Sequence, residues 1–193
     1  TVFESTPCMS LEEPQETPGN PFVGEEIGGR LIFRDDHTLL LALGGMAYDG
    51  IDFRLRASQD PKYSWGKTIA IDLASGASRI FTSGHRNQQG LYLDGEGRIW
   101  VTEHGPQGGE ELNLLREGND YGWPTVTYGT SYGSMAWQNN PTPGEHIGYE
   151  LPQFSWVPSI GISPVSGVQH ALFASWRDDL LIGSLATQSL YRA

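Results

Sequence analysis

Between Gly84 and Pro124 the chain reads GHRNQQGLYLDGEGRIWVTEHGPQGGEELNLLREGNDYGWP. This stretch gathers a cation beside an amide (Arg86, Asn87), two histidines (His85, His104), a Gly-Pro-Gln-Gly-Gly loop and adjacent carboxylates (Glu110, Glu111). An arginine fork suits carboxylate and carbonyl oxygens. Glu111 opens an apolar alternation with Leu112 and Leu114, so a carboxylate facing inward there needs a partner, and a hard cation such as Ca²⁺ is one. Each feature also has a plain reading. Arg86 and Asn87 can tie two sheets together, and His104 can be a hydrogen-bonded scaffold residue. Glu110-Glu111 can be solvated charge, Gly108-Gly109 turn geometry, and Tyr121, Trp123 and Trp156 packing. His170 and Cys8 have no evident partner.

The elements that must position these residues are short strands. Arg30–Phe33 and Thr38–Leu43 flank an Asp35-Asp36-His37 turn, a hairpin signal. A long excursion, 44–65, leads to Lys67–Leu73, an Ala-Ser-Gly turn and Arg79–Thr82. The pattern restarts with Gly90–Leu93, Asp94–Gly97, Arg98–Thr102 and Glu111–Leu115. After a Gly/Asn/Pro-rich loop (129–152) it restarts again with Val165–Val168, Leu180–Leu185 and Ser189–Arg192. Such recurring units of strand and Asp/Gly turn are the pattern of a β-propeller, with a β-sandwich as the competing all-β architecture. The expected layout is an extended segment over 1–23 with an edge strand at Val2-Phe3, then three four-stranded blades over roughly 24–84, 85–130 and 150–193. A closed ring takes about four blades or more. Three therefore imply either a piece of a larger propeller or two chains, a homodimer, completing one ring.

Composition agrees and excludes. The 193 residues suffice for one real core. The 25 glycines suit a turn-rich all-β chain. A formal charge of −11, from 12 basic and 23 acidic side chains, repels phosphate backbones, so nucleic acid is not an expected partner. The single cysteine, Cys8, rules out an internal disulfide framework. No apolar run approaches the roughly 20 residues of a membrane span, and Thr1-Val-Phe-Glu does not read as a signal peptide.

Gly84–Leu91, followed by Glu103–Asn113 and Asn119–Pro124, resembles the soluble PQQ-dependent aldose sugar dehydrogenases, the glucose/sorbosone dehydrogenase family. Gly28-Gly-Arg-Leu31, Trp156 with Pro158-Ser159, and Asp179–Leu185 resemble further family segments, in family order. The likeness spans roughly residues 24–193 and implies the middle portion of a six-bladed quinoprotein propeller. It also implies a sugar substrate and a periplasmic or secreted location. By that resemblance Arg86 and Asn87 contact the quinone and His104 lines its pocket. Gly105 and Pro106 offer main-chain carbonyls to an active-site Ca²⁺, and Glu111 with the Tyr121 carbonyl binds a second, structural Ca²⁺. Three positions depart from the family. Its general-base histidine falls at Glu26, a lysine after Gly-Ser-Leu is Ala186, and a proline after Arg-Asn is Gln88.

The expected function is therefore a PQQ- and Ca²⁺-dependent aldose dehydrogenase, or a fragment of one, with Glu26 as the candidate base. The departures at Glu26 and Ala186 motivate the alternative of a non-catalytic propeller that binds a protein or sugar. A Ca²⁺-dependent lactonase would need acidic ligands converging from every blade, and the sequence lacks that set.

Overall fold

The computed structural model describes residues 1–6, 25–51, 55–134, 136–140, 142 and 144–193. Most of the expected 1–23 segment, including Cys8, lies outside the described residues. The protein is all-β, and its antiparallel sheets follow one another as consecutive blades of a partial propeller. The first sheet runs β1 (Gly28–Phe33), β2 (Thr38–Leu43), β3 (Lys67–Asp72), β4 (Ser78–Thr82) in chain order. The second runs β5 (Gln88–Leu93), β6 (Ile99–Glu103), β7 (Glu110–Leu115), β8 (Phe154–Trp156). The third has three strands, β9 (Ile162–Gly167), β10 (Leu180–Ser184) and β11 (Ser189–Arg192). The first strand of each sheet lies against the first strand of the next, β1 on β5 and β5 on β9. This is how propeller blades meet around an axis. Arg30 Nε donates to the Gln89 carbonyl at 2.7 Å across the first of these seams.

Period-two alternation decides which side chain serves which interface. Leu40 and Ala42 of β2 join Ala70, Phe81, Leu91, Ile99 and Val101 in the core between the first two sheets. Their neighbours Leu39, Leu41 and Leu43 point to the opposite face, with Ile69 and Ile71. Leu112, Ile160, Ile162, Val165, Leu180 and Ile182 fill the second seam. The acidic turns work as read. Asp35, Asp72 and Asp94 each accept backbone N–H groups two to four residues on, closing the hairpins.

Three expectations shift. The third sheet has three strands among the described residues where four were expected. The fourth strand of the second sheet is Phe154–Trp156, so that blade extends past residue 150 and encloses the long 129–152 loop. Val2 and Phe3 form no strand. Phe3 packs on the Leu43–Ile69–Ile71 cluster, and Thr6 exchanges hydrogen bonds with Ser64. A short 3-10 turn at Ala171–Trp176 is the only helical element among the described residues. None of the described helices is long and apolar enough to cross a membrane.

Candidate active site and cation pocket

Arg86 leaves the β4–β5 connection immediately after buried His85. Its main chain is fixed on both sides: the N–H donates to Glu103 Oε2 at 2.9 Å, and the carbonyl accepts Gly45 N–H at 2.6 Å. The guanidinium lies 5.4 Å over the Trp123 ring. Nη1 donates to the Gly105 carbonyl at 2.7 Å and Nη2 meets Glu26 Oε1 at 2.5 Å. Nε is buried without a hydrogen-bond partner. Glu26 and Arg86, sixty positions apart in sequence, are thus an ion pair with side chains only 12% and 11% exposed. Burial pushes the Glu26 carboxyl above its ordinary value of 4.5, and Arg86 and the Ala47 N–H only partly offset it.

Glu26 is held by unusual backbone. It has a φ of 54°, and it faces Met46 and Ala47, also left-handed at 54° and 63°. Such strain in non-glycine residues persists only where surroundings over-determine it. Here Met46 N–H bonds the Glu26 carbonyl and Ala47 N–H bonds its Oε2, both at 3.2 Å. Gly44 makes the approach possible, because a Cβ there would sit 1.7 Å from the Glu26 carbonyl oxygen. Gly44→Ala is expected to lose about 3 kcal/mol in urea unfolding through overpacking. A variant with an unchanged midpoint would show that the Glu26 segment adapts freely.

The other expected residues gather on the same side. Asn87 Oδ1 accepts from Gln89, and its carbonyl accepts the His104 N–H at 3.0 Å. His104 Nδ1 stands 3.9 Å from Glu110 Oε1. Glu110, read from sequence as solvated charge, is buried and bonds the Ser159 hydroxyl and the Gly161 N–H. Burial alone would raise its pKa; the nearby His104 ring and the hydrogen bonds from Ser159 and the Gly161 N–H outweigh that and hold it below 4.5. Gln88 is also buried and donates to Thr68 at 3.0 Å, tying β5 to β3. Ala186 is exposed and carries no charge to the site.

Behind Arg86 lies a second polar group. Glu103 and Glu111 are directly paired across β6 and β7, and both are buried. Like charges so placed repel. A single side-chain amide bridges them: Asn113 Nδ2 donates to Glu103 Oε1 at 2.9 Å and to Glu111 Oε2 at 3.0 Å. Glu103 Oε1 also faces His85 Nδ1 at 2.9 Å, whose Nε2 meets the Thr82 hydroxyl. Tyr121 stacks on His85 at 4.8 Å. Burial pushes the Glu111 carboxyl up; the Glu103 charge adds to this, and His146 and Asn113 pull the other way. His146, not singled out in the sequence, lies buried 3.7 Å from Glu111, stacked on Tyr128, with neither ring nitrogen hydrogen-bonded.

A cavity of about 10 Å³, room for one water-sized species, is lined by Arg86, Glu103, His104, Glu111, Tyr121 and Thr127 among others. Glu103 and Glu111 both line it, and Asn113, which bridges them, keeps its Oδ1 buried and unpartnered without lining the cavity itself. Two buried carboxylates lining one small cavity fit a hard cation. Among the described residues no cluster of three or more His, Cys, Asp or Glu side chains is arranged to bind a metal alone. A cation here would also need main-chain or amide oxygens. The Gly105 carbonyl fits less well. Its oxygen already accepts Arg86, and a guanidinium charge beside it opposes a second cation.

The Glucose / Sorbosone dehydrogenase family model matches residues 14–193. The chain belongs to this family. It is 29% identical to the aldose sugar dehydrogenase YliI of Escherichia coli strain K12 over 194 residues, covering 96% of this chain and 48% of that protein. It is 27% identical to quinoprotein glucose dehydrogenase B of Acinetobacter calcoaceticus over 142 residues, 61% of this chain and 30% of that one. The apo crystal structure of the soluble E. coli aldose sugar dehydrogenase superposes with a TM-score of 0.76 at 28% identity, over 86% of this chain and 50% of that chain. The chain thus spans about half the length of the first of these relatives.

Proposed function

We propose that the chain supplies one wall of a PQQ-dependent aldose dehydrogenase site that oxidises a sugar C1 hydroxyl to the lactone. The observation that supports this most directly is Arg86: a buried guanidinium with an unpartnered Nε, at a cavity rim, in a chain of this family. That orphaned donor suits a carbonyl or carboxylate oxygen of PQQ, with Asn87 and His104 beside it. When bound, PQQ supplies the ortho-quinone that accepts hydride from the sugar C1. The chain's own residues do the rest. Arg86 orients the anionic cofactor, and Trp123 backs the guanidinium. Glu26 takes the C1 hydroxyl proton, a task for which a buried carboxylate with a raised pKa is suited. The Glu111 pocket, with Tyr121, holds Ca²⁺ as a structural ion.

Addition of PQQ and Ca²⁺ to the purified chain should change the quinone absorbance, and aldoses should then reduce a dye. A folded chain that binds neither would favour the non-catalytic propeller, a reading the Glu26–Arg86 pair supports by neutralising the cation internally. The complete ring, in the same proposal, takes a second chain or further blades. Light scattering at twice the chain mass would support the homodimer, and a well-folded monomer would oppose it. By resemblance the site of action is periplasmic or secreted.

If Glu26 is the base, it must be ionised to work. Its pKa is raised, so activity should fall as pH drops through a value above 4.5. Glu26→Gln should lower kcat by about 10²-fold or more. Glu26→His should move the acid limb toward the ordinary histidine range near ~6.5. An unchanged pH profile in either variant would remove Glu26 from the chemistry.

A further inference from the structure

The carboxylate that holds Arg86 in place is the same one that shares an amide with Glu111. Glu103 Oε2 accepts the Arg86 N–H, and its Oε1 accepts Asn113, whose other N–H goes to Glu111. The path from Glu111 to the Arg86 main chain is therefore two side chains long, buried throughout, and lines one small cavity at both ends. Register enforces it. Glu103 and Glu111 oppose each other across β6 and β7, and Asn113 is two residues on along β7, on the same face. Neither carboxylate can move without changing what Asn113 donates to the other.

We propose that Glu103 is the positioning residue of Arg86, and that Asn113 couples cation occupancy of the Glu111 pocket to it. A cation drawn to Glu111 competes with the Asn113 N–H for the Glu111 oxygen. Asn113 then turns or shifts, Glu103 loses or gains a donor, and the Arg86 main chain moves with it. Trp123, under the guanidinium, senses the same shift. Coupling of this kind is reciprocal, so an anion bound by Arg86 tightens the cation pocket by the factor that the cation tightens anion binding.

This rests on the quinoprotein reading only for the identity of the anion, and the test separates the two. In the PQQ-free protein, Ca²⁺ is titrated while the backbone amides of Arg86 and Thr127 and the Trp123 indole are followed by ¹⁵N NMR. All three should move with one midpoint. In Asn113→Ala, Thr127 should still respond, at a midpoint raised roughly tenfold, while Arg86 and Trp123 stay still. Glu103→Gln, which keeps shape and an acceptor, should halve or abolish the Arg86 shift while leaving the Thr127 response in place. With PQQ present, Ca²⁺ and PQQ should each raise the other's affinity about fivefold or more in the parent, and by less than twofold in Asn113→Ala. Absence of Ca²⁺ binding, a parent Arg86 amide that ignores bound Ca²⁺, or full transmission in Asn113→Ala overturns the proposal. PQQ binding and turnover alongside a silent Arg86 amide would sink the coupling and leave the enzyme reading standing. A responsive Arg86 in a chain that never binds PQQ would do the reverse.

Discussion

Arg86→Leu is expected to abolish PQQ binding at micromolar concentrations and to lower dye-linked turnover by at least ~10²-fold. The guanidinium is the buried cation at the cavity rim, and leucine offers no donor to an anionic quinone. Stability falls as well. Removing one partner of a buried pair typically costs about 3 kcal/mol, because the other charge stays behind unpaired. Here the survivor is Glu26, already pushed up by burial even with Arg86 beside it. The sign follows from that direction. An acid whose folded pKa lies above its unfolded one favours the folded state below the unfolded pKa, and loses that contribution as pH rises through the folded value. Arg86→Leu raises the folded value further, so its deficit should be largest at neutral pH and shrink toward acid. Arg86→Leu combined with Glu26→Gln should recover most of the stability and none of the cofactor binding. Urea midpoints at pH 5 and pH 7.5, with PQQ titrations on the same samples, test both halves. Recovered binding in the double variant would remove Arg86 from the cofactor's contacts.

What the sequence made legible was what local chemistry encodes. Leu39–Leu43 is apolar throughout because β2 packs on both faces, and Asp94-Gly-Glu-Gly reads as a turn because Asp94 caps its own hairpin. Arg86, Asn87 and His104 stood out as a motif, and the fold brings them to one place. The misses share a cause: distance along the chain. Glu26 and Arg86 meet only because Gly44 lets the segment before β1 press against the β2 exit. Glu110 looked solvated beside Glu111, but Ser159 and Gly161 return from the far end of a long loop to bury it. Phe154–Trp156 follows that loop and so reads as part of a new unit, although its partner is β7. No local period announces such meetings.

Lys67→Met, at the start of β3, should be among the most destabilising single changes, at about 3 kcal/mol at pH 7. Lys67 is 1% exposed. Its Nζ donates to the carbonyls of Ala57, Ser58 and Trp65 at 2.8, 2.7 and 3.2 Å. Methionine fills the space but loses three charge-assisted hydrogen bonds, each worth on the order of 1 kcal/mol or more; the Ala57 and Ser58 carbonyls keep only the Asp60 and Gly84 N–H groups. Relief from burying a charge offsets part of this, and pH exposes that part. Burial lowers the Lys67 pKa from 10.5 to about 8. Between those values the unfolded chain holds a proton that the folded chain has released, so the parent gains stability as pH rises. The methionine variant lacks that gain, and the gap between the two should widen from pH 8 toward pH 10. A gap under about 1 kcal/mol, or one that narrows with alkali, would show that the cage is not what secures the 57–65 loop. The effect reaches the site. Ser58 Oγ and Gln59 Nε2 from that loop both hold the Trp123 carbonyl, at 2.7 and 2.8 Å, and Trp123 is the ring beneath Arg86. A loosened loop therefore frees the platform on which the guanidinium rests, and Lys67→Met should weaken PQQ binding several-fold even where the variant is fully folded.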